Sequence, residues 1–294
     1  MSLVTTFRVG NLTCHALEGG VQRLDGGAMF GVVPKELWNR RIEADGRNRI
    51  PLALRCLLIE HPDGPVLVDT GIGNKESEKF CDLYGIDNEG VHGPTRLDDA
   101  LNEVGLTARD VRWVVNTHLH FDHAGGNTVV PPGGGPEDEP CVAFPEATYV
   151  VQEGDLAFGL RTNERTAGSY FPKNFAPVTD ADRWKLVSGD AEILPGVRAI
   201  LTPGHVPHHQ SILIEDGGEK ACFLADLVPT TAHLSLPWIM GYDLEPLVTL
   251  ESKRRLLTQA EEESWLLVFE HDPEHALGRV VRKGKSFGFQ ALAG

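Results

Sequence analysis

Residues 116–126 read NTHLHFDHAGG and directly follow the apolar run VRWVV. A short apolar run that ends in a polar cluster predicts a buried strand. In an extended segment, side chains two residues apart point to the same side, so we expect His118 and His120 to lie together. The turn that follows can bring Asp122 and His123 to a neighbouring position. The stretch therefore predicts two groups of polar ligands at the carboxyl end of one strand.

The chemistry of this stretch is that of a metal site. Imidazole nitrogens and carboxylate oxygens are suitable ligands for zinc and its first-row neighbours. The five cysteines of the chain are scattered without CxxC spacing, which argues against a thiolate zinc site and against a disulfide framework. The alternative is a polar loop of hydrogen-bonded histidines, and the specificity of His-x-His-x-Asp-His after a buried strand weighs against it.

Composition limits the classes of partner. The chain has 294 residues, of which 41% are apolar, and a formal net charge of −15. This charge disfavours nucleic acid and anionic membrane surfaces, and no apolar run approaches the ~18 residues of a membrane span. The N-terminal sequence MSLVTTFRV lacks the features of a secretory signal. We expect a cytoplasmic protein with a small-molecule substrate.

Strands and helices alternate along the chain without an obvious linker, so we predict one layered α/β domain over residues 1–294. PPGGGP at 131–136 predicts a surface loop. The predicted helices cover 96–104 and about 247–263. The predicted strands cover 3–9, 12–17, 52–60, 65–68, 111–116, 149–152, 197–201, 211–215, 221–225 and 265–269.

The motif THLHFDH at 117–123 resembles the metal-binding signature of the metallo-β-lactamase-fold hydrolase superfamily. The resemblance continues in TPGHVPHHQS at 202–211, in CFLADLV at 222–228 and in LLVFEHD at 266–272. These segments supply the remaining ligands of the family in the same order. The metal ligands implied by the resemblance are His118, His120, Asp122, His123, His205, Asp226 and His271.

The resemblance also implies a fold and a division of the ligands. The fold is a four-layer αβ/βα sandwich, in which two mixed β-sheets are flanked by helices and the metals lie at one edge. The three ligands His118, His120 and His205 would hold one metal. The second metal would be held by Asp122, His123 and His271, and Asp226 would bridge the two.

Three further residues are assigned by position in these motifs. Asp69 in VLVDTG would hydrogen-bond the ligating histidines from behind, as such carboxylates do. His209 matches a histidine of the family that usually does not bind metal. His275 is the rival of His271 for the last ligand position.

The resemblance implies a hydrolase with a dinuclear centre, in which a bridging hydroxide attacks a lactone or ester carbonyl. The cofactors would be two divalent transition-metal ions, with zinc preferred over manganese, iron or cobalt. Asp122, at the edge of the metals, is a candidate to pass a proton to the leaving group. The bridging position carries a carboxylate, whereas the best-known β-lactamases have a cysteine there.

The segment DGGAMFGVVPKELWNRR at 25–41 is similar to the N-terminal region of the N-acyl homoserine lactonase and methyl parathion hydrolase branch. A lactone substrate is therefore preferred, with aryl esters and organophosphate triesters as alternatives. Several lactonases carry a tyrosine three residues after the bridging aspartate, where this chain has Pro229. The candidate substrate-binding residues, for which ordinary core packing is the competing interpretation, are Met29, Phe30, Trp38, Thr230 and His233, with Tyr242 as a further replacement for the tyrosine.

Other interpretations remain at this stage. Glyoxalase II-like thioesterases have a longer C-terminal region, the acidic charge disfavours RNA-processing members, and sulfur dioxygenases need fewer ligands. The alternative from another functional class is a binding module in which the metals are structural and there is no catalysis. Segment 71–87 is either an interface loop of a homodimer, which we slightly favour, or a solvent-exposed loop.

Overall fold

The computed structural model describes residues 2–131, 139–284 and 286–292. The loop predicted at 131–136 lies outside these residues except for Pro131. The strands, in chain order, are β1 Val4–Val9, β2 Leu12–Asp25, β3 Arg49–Glu60, β4 Val66–Val68, β5 Trp113–Val115, β6 Thr128–Val129, β7 Cys141–Val142, β8 Thr148–Gln152, β9 Trp184–Val187, β10 Ala191–Leu194, β11 Val197–Leu201, β12 Gln210–Asp216, β13 Glu219–Phe223, β14 Leu266–Val268, β15 Leu277–Lys283 and β16 Ser286–Gln290.

The helices are short except for the last. They are α1 Gly26–Phe30, α2 Lys35–Trp38, α3 Glu78–Tyr84, α4 Arg96–Glu103, α5 Phe121–Ala124, α6 Glu153–Gly159, α7 Ala176–Asp180 and α8 Pro246–Glu262. Turns of 3-10 helix cover Gly125–Asn127, Pro172–Asn174, Ala225–Leu227 and Thr231–Leu234. Within the residues that the structure describes, no helix is both long and apolar enough to cross a bilayer.

The strands form two seven-stranded sheets and one small pair. The first sheet has the order β1-β2-β3-β4-β5-β8-β9, and the second the order β10-β11-β12-β13-β14-β15-β16. Both sheets are mixed, because β4, β5, β8 and β9 run parallel in the first and β13 runs parallel to β14 in the second. The other neighbours in each sheet are antiparallel hairpins or meanders.

Three apolar clusters explain the layering. One cluster combines inward side chains of both sheets, such as Val68 and Val115 of the first with Ile212 and Phe223 of the second. A second cluster packs α8 on the outer face of the second sheet, and a third packs α4 on the outer face of the first. The order of layers is therefore helix, sheet, sheet, helix, which confirms the predicted four-layer sandwich.

Most predicted strands and both predicted helices are present within a few residues of their expected bounds. Strand β2 is the main exception, because it continues to Asp25 instead of ending near Leu17. A bulge between Glu18 and Val21 carries the strand through Gly19-Gly20. Gly20 has φ +139°, and a Cβ there would lie 2.5 Å from the side chain of Asn88, so only glycine fits. Strands β6, β7, β9, β10, β15 and β16 are absent from the predicted set.

The topology brings several strand ends to one edge of the sandwich. The parallel strands β4 and β5 end there, and so do β13 and β14. Strand β12 is antiparallel to β13 and therefore begins at the same edge. The segments that follow or precede these ends carry Asp69, the 117–123 motif, the 202–209 loop, Asp226 and His271. Residues more than 200 positions apart can thus meet.

Candidate metal centre

The seven predicted ligands lie in two adjoining groups at this edge. One nitrogen or carboxylate oxygen from each of His118, His120, His205 and Asp226 lies within 4.8 Å of the others, and the same holds for the group Asp122, His123 and His271. Six of the seven side chains are buried, and His120 is half-buried. This clustering of nitrogen and carboxylate donors suits metal ions.

Asp226 lies between the two groups. Its Oδ2 is 3.0 Å from Nε2 of His205 and 3.6 Å from Nε2 of His123. Its other oxygen, Oδ1, is 3.1 Å from Nε2 of His271. One carboxylate therefore faces nitrogens of both groups.

The contacts inside the cluster fit cations better than they fit hydrogen bonds alone. Nε2 of His205 is 3.1 Å from Nδ1 of His120, and Nε2 of His271 is 3.3 Å from Nε2 of His123. Two imidazole nitrogens that face each other share at most one proton in a neutral pair. Nε2 of His118 is buried and has no hydrogen-bond partner in the described part of the chain. Buried polar atoms in native proteins are normally satisfied, so this donor set fits metal ions.

The nitrogens that face away from the cluster are held by protein oxygens. Nδ1 of His123 lies 3.0 Å from Oδ2 of Asp69, and Asp69 also accepts from the backbone and hydroxyl of Thr117. Nδ1 of His205 lies 2.9 Å from Oδ1 of Asp243. Nδ1 of His271 lies 2.8 Å from the carbonyl oxygen of Ala53. Such contacts fix the ring orientation and leave Nε2 directed into the cluster.

Two of these outer residues were missed from the sequence. Asp243 is buried and contacts His205, but it lies in an irregular segment with no motif around it. Glu270 is fully buried, and its Oε1 lies 3.1 Å from Nδ1 of His123. A charged residue at the end of the apolar run LLVF was the available signal for Glu270.

Burial and neighbouring charges move the pKa values of several residues in and beside the cluster. Burial lowers the pKa of His118 well below its usual value, and the neighbouring imidazoles add to this effect. Burial also acts to lower the pKa of His271, but Asp226 and Glu270 outweigh it and raise this pKa to about 9. Burial and Asp69 raise the pKa of Glu270 to about 8 against the opposing effect of His123. The carboxylates thus create a field that attracts positive charge.

Two non-glycine residues at the site have left-handed backbones. Asp69 has φ +54° and Ala225, directly before Asp226, has φ +47°. Such conformations cost on the order of 1–2 kcal/mol each and persist where the surroundings over-determine them. At both positions the turn directs a carboxylate towards the histidines.

Two further histidines considered from the sequence, His209 and His275, lie apart from the ligands in different ways. His209 is buried behind the cluster, with Nδ1 2.8 Å from the hydroxyl of Thr202. His275, the rival of His271, stacks on Phe289 with a centroid distance of 4.6 Å and does not belong to either group. The structure therefore brings His271, and not His275, to the cluster.

A cavity of about 100 Å³ opens to solvent directly above the cluster. Five of the candidate ligands line it, namely His120, Asp122, His205, Asp226 and His271. Its other walls are largely apolar and include Leu24, Met29, Leu52, Phe121, Met240 and Leu244. Polar groups are contributed by Tyr84, Tyr242, Arg165, Thr166 and Ser169. An apolar cavity with a few convergent polar groups is typical of a small-molecule site.

The predicted substrate-binding residues divide between the cavity and the layer behind it. Met29 lines the cavity. Phe30 stacks between Trp38 and His233, with centroid distances of 5.3 and 4.6 Å, in a buried layer behind Met29. Nδ1 of His233 is 2.7 Å from the hydroxyl of Thr230, and its Nε2 is 2.9 Å from the carbonyl of Met29. Both ring nitrogens of His233 are thereby engaged within the protein.

Comparison with known proteins agrees with this geometry. The model of the metallo-β-lactamase superfamily matches residues 50–271. The chain belongs to the metallo-β-lactamase superfamily. An N-acyl homoserine lactonase from a Bacillus species is 30% identical to it over 240 residues, which are 79% of this chain and 86% of the lactonase.

Comparison with solved structures is consistent with this assignment. A "probable metal-dependent hydrolase" from Staphylococcus aureus has a TM-score of 0.87 and 32% identity, and covers 97% of this chain and 99% of that one. An N-acyl homoserine lactone hydrolase, solved with the product N-hexanoyl-L-homoserine bound at the catalytic metal centre, has a TM-score of 0.65 and 26% identity. That match covers 91% of this chain and 95% of the other. The predicted family, lactonase-branch resemblance, fold and enzymatic nature are confirmed.

Proposed function

We propose that this metallo-β-lactamase-superfamily hydrolase is a lactonase that opens N-acyl homoserine lactones. The observation that carries the proposal is an apolar cavity whose floor is the His/Asp cluster, with Asp226 shared by the two ligand groups. The relatives named lactonases support the lactone as the substrate class. The apolar walls suit an acyl chain, and the polar floor suits the lactone ring.

In this proposal two divalent cations, preferably zinc, occupy the cluster. His118, His120 and His205 would hold one cation, Asp122, His123 and His271 would hold the other, and Asp226 would serve both. When bound, such a pair of cations makes water acidic enough to act as a nucleophile near neutral pH and polarises a carbonyl oxygen. The protein contributes the fixed orientation of the ligands, because Asp69 contacts His123 and Asp243 contacts His205. The ring of His209 lies beside that of His118, with a centroid distance of 5.2 Å.

Asp122 is the proposed proton carrier to the leaving alkoxide. Its side chain lines the cavity and belongs to the second ligand group, so it borders both the cations and the substrate space. A carboxylate within hydrogen-bond reach of the leaving oxygen can hold and release the proton that the ring opening requires.

Tyr242 is the proposed donor to the substrate carbonyl in place of the tyrosine that Pro229 replaces. Thr230 and His233 hydrogen-bond each other behind the wall, whereas Tyr242 lines the cavity. Burial raises the pKa of the Tyr242 phenol, and Tyr84, Asp25 and Asp122 add to this rise, so the hydroxyl keeps its proton at neutral pH. A protonated phenol beside the reacting groups can stabilise a developing oxyanion.

Metal analysis combined with a substrate panel tests the function. The reconstituted protein is expected to hold two equivalents of transition metal and to hydrolyse a long-chain N-acyl homoserine lactone faster than an aryl ester, a penicillin or an organophosphate triester. Less than one equivalent of metal would contradict the hydrolytic centre. If the protein hydrolyses another substrate of the panel in a metal-dependent reaction but does not hydrolyse the lactone, only the proposed substrate is contradicted.

Three expectations from the sequence accompany this proposal. We propose that residues 1–294 act as one hydrolase domain. A cytoplasmic location is supported by the five cysteines, none of which forms a disulfide. A homodimer through segment 71–87 stays a proposal, which sedimentation at several protein concentrations would test.

A further inference from the structure

A buried glutamine on β2 reaches the second ligand group. Gln22 is fully buried, and its Nε2 donates a hydrogen bond of 2.5 Å to Oδ2 of Asp122. Among the described residues, no other side chain or backbone group donates to this carboxylate. The contact joins β2 to α5 across 100 residues of sequence. The bulge at Glu18 to Val21 sets the register that places Gln22 at this point.

The orientation of the amide is fixed by its partner. A carboxylate accepts hydrogen bonds, so the NH₂ group and not the carbonyl must face Asp122. The carbonyl oxygen Oε1 of Gln22 is then buried without a hydrogen-bond partner within the described residues. A buried unpaired acceptor costs about 1–3 kcal/mol. A glutamine that only fills space would be replaced at lower cost by methionine, so the contact with Asp122 is what the amide provides.

The two oxygens of Asp122 have different neighbours. Oδ2 accepts from Gln22, while Oδ1 lies 3.8 Å from Nε2 of His123. Oδ2 also lies 3.9 Å from Nε2 of His271, so the hydrogen bond from Gln22 holds the Asp122 carboxylate beside both histidines of its group. His118, His120 and His205 form the other group and have no contact with Gln22.

We propose that Gln22 is a positioning residue that holds the Asp122 carboxylate in place beside His123 and His271 and so determines how tightly the second cation binds. The inference rests on the proposed function, because the pair of cations is taken from it. Outer hydrogen bonds of this kind contribute about 10–100-fold to metal affinity. The cation held by His118, His120 and His205 is expected to be insensitive to Gln22.

The test measures metal binding independently of turnover. The chelator-stripped protein is titrated with Co²⁺ alone in competition with a chromophoric chelator, and the visible absorption of the bound Co²⁺ is recorded at each step. Gln22→Met keeps the length of the side chain and removes the donor. Gln22→Asn keeps the amide but shortens the side chain by one methylene, so the amide no longer reaches Asp122. This variant replaces Gln22→Met in the test if the methionine variant fails to fold.

Gln152→Met is the matched control. Gln152 is also a buried glutamine, and its Nε2 donates to Gly189 and Gln210 and not to a candidate ligand. Its loss removes a buried amide of the same kind without touching Asp122. Any general loss of stability should therefore appear in Gln152→Met as well.

The wild type is expected to bind two Co²⁺ ions. Both Gln22 variants should bind one ion as the wild type does and the other about 10–100-fold more weakly, while Gln152→Met binds both normally. The inference is overturned if the folded Gln22 variants bind both ions as tightly as the wild type does, or if both ions are weakened by the same factor. Either result leaves the proposed function intact. Fewer than two Co²⁺ ions in the wild type would overturn the proposed centre itself.

Discussion

The edge of the sandwich that carries the seven candidate ligands, called the metal edge, and the apolar wall of the cavity above it are built from different interactions. At the edge, buried imidazoles and carboxylates hold each other through contacts of about 3 Å, such as His123 with Asp69 and His205 with Asp243. In the wall, Met29 and Met240 are held by apolar packing with Phe30 and Trp38. Directional contacts permit few arrangements, whereas apolar packing tolerates substitution of similar volume. The edge is therefore suited to fixed chemistry and the wall to variable substrate choice.

The largest expected effect comes from breaking the edge at the residue that both ligand groups share. Asp226→Asn keeps the size of the side chain and removes its charge, so we expect loss of bound metal and a fall in kcat/KM of roughly 1000-fold or more. Elemental analysis and lactone kinetics measure both. Asp180→Asn, an exposed carboxylate at the end of α7, is the control and should behave as the wild type. Full metal content with full activity in Asp226→Asn would remove the basis of the two-metal proposal.

A smaller effect is expected where the wall contributes a polar group to the edge. Tyr242→Phe should lower kcat by about 10–100-fold with little change in KM, because the hydroxyl is proposed to donate to the reacting carbonyl. Metal content should not change. Tyr84→Phe alters another tyrosine of the same cavity and is expected to change kcat less than threefold. The assignment fails if the two variants exchange these results.

The wall is also anchored by a buried cation, which gives a pH test. Nζ of Lys253 donates to the carbonyls of Ser235 and Trp238, both at 2.8 Å, and burial lowers its pKa to about 7 against the opposing effect of Asp243. Above pH 7 the folded state has lost this proton, while the unfolded state, with an ordinary pKa of 10.5, retains it. The free energy of unfolding should therefore rise with pH across this interval, by up to about 1.4 kcal/mol per pH unit.

Lys253→Met should remove this part of the rise. Urea unfolding at several values between about pH 7.5 and 9.5 measures it. Lys75, whose pKa burial also lowers to about 7, contributes in the same direction and remains in the variant. Lys79→Met, at an exposed position of α3, is the control. An unchanged slope in Lys253→Met would show that Lys253 is protonated equally in both states.

The smallest effect is expected in the apolar wall itself. Met240→Ala enlarges the cavity without touching a candidate ligand, so kcat/KM for a hexanoyl substrate should fall about 3–10-fold, and less for a dodecanoyl substrate. The ratio of the two rates is the measurement. Val91→Ala, at a position that is 84% exposed, should leave the ratio unchanged. A loss of bound metal in Met240→Ala would contradict the separation between wall and edge.

Sequence reasoning worked well for the edge and poorly for the wall. Metal chemistry accepts few residue types, and each ligand follows an apolar strand, so His118, Asp226 and His271 stand out in the chain. The wall accepts many apolar residues, and the printed sequence does not distinguish Met29, which lines the cavity, from Phe30, which packs behind it. Gln22 had no signal at all, because its position depends on a bulge in β2.

The sequence by itself determined the family, the layered α/β fold and the seven candidate ligands that meet at one edge, because strand periodicity and metal-ligand chemistry both depend on local patterns. Only the tertiary structure decided which oxygens lie behind each histidine, that His271 and not His275 reaches the cluster, and that Gln22 contacts Asp122. These are contacts between distant strands, and their distances follow from register and packing, which no short stretch of sequence specifies.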